Sequence, residues 1–309
     1  MASYEGPYFG TDMFKSFTKT WHSNPYPSIS PTRPELSAAG KIVFITGGGS
    51  GIGKATAIGF AQAGAKAIAI FGRRIGNLES AAEEIKKANP AGTTKVIFES
   101  ADISQRQSLE TAFANALSKA GGGKIDVIVN NAGSLKPGSP VTVYPEKDLR
   151  DSIESNLIGS YYVIQAATPL LASNAKVLNV SSGIGHMNPI PGLWVYASLK
   201  IALIKMFDFL QAENPDLNVF NIQPGVVETE LNQVSKFPGQ DDGKLTVLWF
   251  PNVFNESFSF ISISVLLADC YTSQPPGSLP RLACVPRSGI PQGEVHLGQL
   301  GCGWDESSF

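Results

Sequence analysis

Cysteine and histidine are scarce in this chain. Cys270, Cys284 and Cys302 are the only cysteines, and His22, His186 and His296 the only histidines. Three widely spaced cysteines make neither a disulfide framework nor a zinc spacing. Three dispersed histidines argue against a histidine-built metal site, so no metal is expected. Neither sign of charge is in excess: 24 basic against 26 acidic residues leave a net charge of -2. Nothing therefore points to nucleic acid or to an anionic membrane surface. No uninterrupted apolar run reaches membrane-spanning length. The N-terminus carries Glu5 and Asp12 and lacks an apolar centre, so no secretory signal is expected. These absences favour a soluble, cytoplasmic protein with reduced thiols.

What is present is a core and one organising stretch. Hydrophobic residues make up 43% of 309, enough for a sizeable interior. The segment Lys41–Gly53, KIVFITGGGSGIG, runs from a short apolar strand into a glycine-rich loop and then into an alanine-rich helical pattern from Lys54. A strand, a glycine loop and a helix N-terminus together hold a dinucleotide. The glycines admit close approach of backbone to pyrophosphate, and the helix start offers unpaired N–H groups to its charge. Gly47, Ser50, Gly51, Ile52 and Gly53 are the candidates here. A lone glycine loop also occurs as a plain strand–helix turn, so its neighbours must carry the weight.

Those neighbours alternate. Apolar runs at Ile42–Ile45, Ala67–Phe71, Val96–Phe98, Val127–Val129, Val177–Val180 and Val219–Ile222 read as buried parallel strands. Between them apolar residues recur at helical spacing, as in Leu109, Phe113 and Leu117, or Leu199, Leu203, Met206 and Leu210. The pattern predicts an α/β fold of Rossmann type, a doubly wound parallel sheet with helices on both faces. Residues 1–40 hold Pro7, Pro25, Pro27, Pro31 and Pro34 and read as an extended N-terminal arm. Its aromatics Tyr8, Phe9, Phe14, Phe17 and Trp21 suit packing on the body or on a second subunit, or a frayed tail. The catalytic domain is assigned to 41–235. From 236 to 309 the alternation fails, and Phe250–Pro291 is rich in Ser, Pro and apolar residues with few charges. That C-terminal segment is expected to order poorly.

Six further points carry chemistry. After the second run, Gly72 stands where an NAD-binding loop usually places a carboxylate, and Arg73 follows. The missing carboxylate and the guanidinium fork favour the 2′-phosphate of NADP(H) over NAD(H); the alternative is a solvated basic turn. Asp102 follows the third strand and suits either an adenine amino group or the cap of the next helix. Asn130-Asn131-Ala132-Gly133 closes the fourth strand with small residues and amides. Asn156 sits in a helical pattern where its propensity is poor, as at a water site, a helix irregularity or the surface. Ser181 and Ser182 end the fifth strand, and Tyr196 and Lys200 follow one helical turn apart. A phenol, with a pKa of about 10, is a poor acid–base group at neutral pH, and a nearby ammonium stabilises its phenolate. Pro224-Gly225, with Thr229 beyond, closes the sixth strand and can offer partners to a nicotinamide amide. Each piece alone also has a bland reading as turn, cap or surface.

In order and at these intervals, Thr46-Gly47, Gly51-Ile52-Gly53, Asp102, Asn130–Gly133, Asn156, Ser182, Tyr196, Lys200 and Pro224-Gly225 together resemble the short-chain dehydrogenase/reductase family in its shorter, single-domain form. The arm from Ser16 to Gly40 and the Phe71–Arg74 turn look most like fungal members. The resemblance implies a small-molecule carbonyl or secondary-alcohol substrate; Ser50 stands before Gly51 where some NADP-dependent members carry a basic residue, so the preference for NADP(H) rests on Arg73 alone. The resemblance makes Tyr196 the acid/base and Lys200 the group that lowers its pKa and binds ribose. Ser182 would orient the substrate oxygen, Asn156 would hold a relay water, and homo-oligomers are implied. Two departures stand out. Ser182 and Tyr196 are one residue further apart than the family usually has them, which reads as an insertion in Gly183–Leu193, a loop bordering the substrate; Ser181 is the alternative serine. The tail lacks the usual closing helix and strand. A retained intron or frame change would produce that loss of periodicity, and sequencing the spliced transcript tests it. A nucleotide-binding protein without catalysis is the rival reading that this tail favours. A chain that does not fold stably alone is a second.

Overall fold

The computed structural model describes residues 27–89, 92–186, 189–225, 227 and 229–231. The arm aromatics, the three cysteines, His22, His296 and the C-terminal segment 236–309 lie outside the described residues.

Parallel strands covered on both faces are apolar, and the six apolar runs lie in six strands, the central ones buried and the edge ones partly exposed: β1 (Ile42–Thr46), β2 (Ala67–Gly72), β3 (Lys95–Ser100), β4 (Ile125–Asn130), β5 (Leu171–Val180) and β6 (Asn218–Ile222). They pair in the order β3-β2-β1-β4-β5-β6, all parallel. The helices are α1 (Gly51–Gln62), α2 (Ile75–Ala88), α3 (Arg106–Lys119), α4 (Glu146–Ser152), α5 (Gly159–Ala167) and α6 (Trp194–Glu213). The expected Rossmann-type doubly wound sheet is therefore observed. Chain order reverses between β1 and β4, and in open α/β sheets the crevice beyond the strand ends at that point receives ligands.

Side-chain alternation along each strand builds two cores. Val43, Ile45, Ile68 and Ile70 face α1 and α2, meeting Ala57, Phe60, Leu78 and Ile85. Ile42, Phe44, Ala69 and Phe71 face the other way, toward Leu109 and Phe113 of α3, Val163 of α5 and Leu203 and Phe207 of α6. Phe44, Phe71 and Phe113 form a fully buried triangle with ring centroids 4.7 to 5.4 Å apart. Truncating one such ring typically costs about 3–5 kcal/mol.

Three features differ from the sequence reading. β5 begins at Leu171, well before the apolar run, because Leu171 pairs with Ile125 of β4; the register then shifts so that Lys176 stands opposite Val127, and Asn174 adopts φ 60° in between. The long helical pattern after Pro145 is interrupted by a π-helical turn, Ile153–Ile158, between α4 and α5. The described end of the arm is folded onto the body: short 3-10 turns at Pro27–Ile29 and Pro34–Leu36 bring Ile29 and the buried Leu36 and Ala38 against the first core.

The strand ends are tied by polar side chains. Asn130, Asn179 and Asn221 occupy matching register positions on β4, β5 and β6. The Asn130 amide donates to Asn179 at 3.0 Å, and Asn179 donates to Asn221 at 2.8 Å. Asn130 also donates to Ser160 of α5 at 3.0 Å.

Candidate active site

A cleft of about 590 Å³ opens at the carboxyl ends of the strands, over the point where strand order reverses. Gly47, Ser50, Gly51, Ile52, Arg73, Asp102, Asn131, Ala132, Gly133, Asn156, Ser182, Tyr196, Lys200, Pro224, Gly225 and Thr229 all line it. Gly53 does not. It lies beneath the loop, where an added Cβ would collide with the Gly47 carbonyl oxygen. Its lack of a side chain lets the start of α1 pack closely against Gly47 and the Asn131 amide.

The glycine loop is held in place from several sides. Gly47 and Gly48 donate backbone hydrogen bonds to the Phe71 carbonyl at the end of β2, at 2.8 and 3.2 Å. Gly47 has φ +68°, and a side chain there would meet the Asn131 amide at 2.7 Å. Asn131 in turn donates to the Thr46 and Gly47 carbonyls at 2.9 and 3.3 Å. The buried Thr46 hydroxyl accepts from the backbone N–H groups of Asn131 and Ala132, both at 3.1 Å. These bonds fix the ends of β1 and β4 beside each other. The first turn of α1 has no acidic residue and no side-chain cap, so its N–H groups face the cleft without a competing carboxylate. This cradle fits the pyrophosphate of a dinucleotide.

Asp102 does not cap α3. Its carboxylate accepts from the N–H and hydroxyl of Ser104, at 3.0 and 2.8 Å, forming a tight turn at the cleft edge. Asn156 proves to be the helix irregularity: it sits buried in the π-helical turn. Its side chain accepts from the Ser134 N–H at 3.0 Å and donates to the Ser152 carbonyl at 2.9 Å. A wider helical turn lets a polar side chain enter the cleft without breaking the helix.

Ser182 ends β5 and caps a short 3-10 turn, Gly183–Gly185, accepting from the Ile184 N–H at 3.3 Å. Gln223 fixes the same loop by accepting from the Gly183 N–H at 2.8 Å. Tyr196 and Lys200 both point from α6 toward the cleft. Of the two serines it is Ser182 that acts to lower the Tyr196 pKa, whereas the buried Ser181 hydroxyl has no partner among the described residues. Lys200 is buried and donates to the Val180 carbonyl at 2.7 Å, with its ammonium 5.6 Å from the centre of the Tyr196 ring.

The electrostatics depart from the expectation that Lys200 lowers the Tyr196 pKa. Desolvation dominates and pushes the phenol up to about 12, with the Ser182 hydrogen bond pulling the other way. Burial pushes Lys200 down to about 8. Lys200 directs its charge to the Val180 carbonyl and lies over the Tyr196 ring. His186 is partly buried; burial lowers its pKa, and it is not among the residues lining the cleft.

Reasoning from the sequence missed several lining residues. Arg74 and Glu230 join across the cleft in an ion pair of 2.7 Å. Leu135, Ile184, Ile190 and Leu193 add apolar wall. Arg74 neighbours Arg73 in the sequence and carries the same charge, which is the local signal for it. The others come from loops without a periodic pattern.

The model of the short chain dehydrogenase family matches residues 41–237. The chain belongs to this family. Short-chain dehydrogenases are oxidoreductases acting on CH–OH groups, and the similarity extends to individual proteins. A short chain dehydrogenase of Monascus purpureus is 32% identical over 237 residues, covering 75% of this chain and 78% of that protein. An alcohol dehydrogenase from the archaeon Thermococcus sibiricus, solved with 5-hydroxy-NADP, is 30% identical with a TM-score of 0.57, over 63% of this chain and 80% of that one. A 3-ketoacyl-(acyl-carrier-protein) reductase from Brucella melitensis, solved with NADH, is 30% identical with a TM-score of 0.58, over 64% of this chain and 81% of that one. These two short-chain dehydrogenase structures hold nicotinamide cofactors of both kinds. Among the described residues no helix is long and apolar enough to cross a membrane, and no cluster of potential metal ligands occurs.

Proposed function

We propose that this chain interconverts a carbonyl and a secondary alcohol with NADP(H), using Tyr196 as acid and base. The observation that carries the proposal is the meeting of Ser182, Tyr196 and Lys200 at one wall of a cleft whose other wall is the glycine loop. A bound nicotinamide supplies or takes up the hydride. The chain's own groups handle the oxygen. Ser182 donates to the substrate oxygen and holds it beside the phenol. Tyr196 gives its proton to that oxygen during reduction and recovers it during oxidation. Tyr196 holds its proton at neutral pH, because burial pushes the phenol up to about 12, and giving it up requires positive charge nearby to stabilise the phenolate. Lys200 binds ribose and supplies positive charge when phenolate forms. In this reading Asn156 holds a water that returns the proton, a role supported by its burial at the cleft and its bond to Ser134.

NADP(H) is favoured over NAD(H) because Arg73 and Arg74 stand at the end of β2 and no carboxylate follows that strand directly. Leu135, Ile184, Ile190 and Leu193 favour a substrate with apolar groups flanking its carbonyl. A cytoplasmic location and a homo-oligomer belong to the same reading, resting respectively on the scarce cysteines and on the family. The test is a screen of ketones and secondary alcohols with NADPH and NADP⁺, followed at the nicotinamide absorbance. Turnover that is faster with the phosphorylated cofactor is expected. Cofactor binding without turnover of any substrate would instead favour a nucleotide-binding protein without catalysis.

A further inference from the structure

Arg74 follows β2, Glu230 follows β6, and 156 positions of chain separate them, yet their side chains meet at 2.7 Å. Both line the cleft, so the pair bridges its two walls. The side chains are 61% and 63% exposed, which makes the bond reachable and exchangeable. Thr229, next to Glu230, is close to the glycine loop: a side chain on Gly51 would come within 3.2 Å of its methyl group. The neighbouring Arg73 forms no ion pair with any described residue. The two guanidiniums at the end of β2 therefore differ: one is engaged by a carboxylate and the other is not.

We infer that Glu230 is a cofactor-specificity residue, which weakens the preference for NADPH by occupying Arg74. The inference rests on the NADP(H) reading above. A guanidinium fork binds phosphate and carboxylate with the same donors. A 2′-phosphate that engages Arg74 must displace Glu230, and it then stands near a carboxylate of like charge. A cofactor with a free 2′-hydroxyl needs no such exchange. Glu230 thus acts against NADPH and leaves NADH nearly untouched. Exposed pairs are screened and weak, so the effect is modest: removing the carboxylate is expected to tighten NADPH about two- to fivefold.

The test is titration of NADPH and NADH into the wild-type chain, Glu230→Gln, Arg73→Gln, Arg74→Gln and the Arg74→Gln/Glu230→Gln double variant, reading dissociation constants by calorimetry. In the expected result, Glu230→Gln tightens NADPH and leaves NADH unchanged. The gain vanishes in the Arg74→Gln background and shrinks at high salt. NADH binding doubles as the check that each variant is folded. A wild-type preference for NADPH that Glu230→Gln does not increase would overturn the role of Glu230 alone, as would an equal gain for both cofactors. A wild-type preference for NADH, with no loss of NADPH binding in Arg73→Gln or Arg74→Gln, would overturn the NADP(H) reading and this inference with it.

Discussion

Replacing Lys200 with methionine is expected to stabilise the folded chain near neutral pH. The side chain is buried, and burial lowers its pKa from the usual 10.5 to about 8. Between those values the unfolded chain binds more protons than the folded one, so this group makes stability rise with pH. Charging Lys200 in place at pH 7 opposes folding by about 3 kcal/mol, at roughly 1.4 kcal/mol per pKa unit. By pH 9.5 the opposition has fallen to about 1 kcal/mol. Methionine fills similar volume and carries no charge, but it leaves the Val180 carbonyl without its donor, a loss of about 1–3 kcal/mol that does not depend on pH. The net change at pH 7 thus lies between about zero and 2 kcal/mol in the variant's favour. The difference between the two pH values isolates the protonation effect: the variant's relative stability should drop by about 2 kcal/mol from pH 7 to pH 9.5. Tyr196, raised to about 12, contributes stability that is lost only as pH climbs from 10 toward 12, and it is present in both proteins. Urea unfolding of both chains at both pH values is the assay. A stability difference that stays the same at pH 7 and pH 9.5 would refute the reasoning.

Other consequences follow from the same geometry. Asn179→Ala removes the middle rung between Asn130 and Asn221 and is expected to lower stability by about 1–3 kcal/mol, read as a fall in melting temperature; an unchanged melt would mean that the rungs contribute nothing. Gly53→Val forces α1 away from the Gly47 carbonyl, and the expected result is loss of stabilisation by NADPH in a thermal-shift measurement. Retained stabilisation would show that the loop tolerates displacement.

The fold was legible because burial on both faces leaves a simple mark. Strands such as Ile42–Thr46 and Ala67–Gly72 are apolar along their whole length, and glycines mark the turn between β1 and α1. The first half of β5 left no such mark, since Ser173 and Asn174 lie in a register shift between the paired Leu171 and Lys176 and carry no apolar signal. Asn156 announced an irregularity through its poor helical propensity, although its π-helical form needed the structure. The matched asparagines of β4, β5 and β6 were invisible because only register aligns them. Arg74 and Glu230 were invisible as a pair because nothing local links residues so far apart. The raised Tyr196 pKa was missed because spacing reports which residues share a face, while desolvation depends on everything packed around them.

The most direct test of the central claim compares the wild-type chain with Tyr196→Phe, measuring NADPH oxidation coupled to reduction of a ketone and NADPH affinity side by side. The account predicts turnover lower by about 10²- to 10⁴-fold, the usual worth of a positioned acid, with affinity nearly unchanged. Turnover close to wild type in Tyr196→Phe would contradict the account, because the proton would then come from elsewhere.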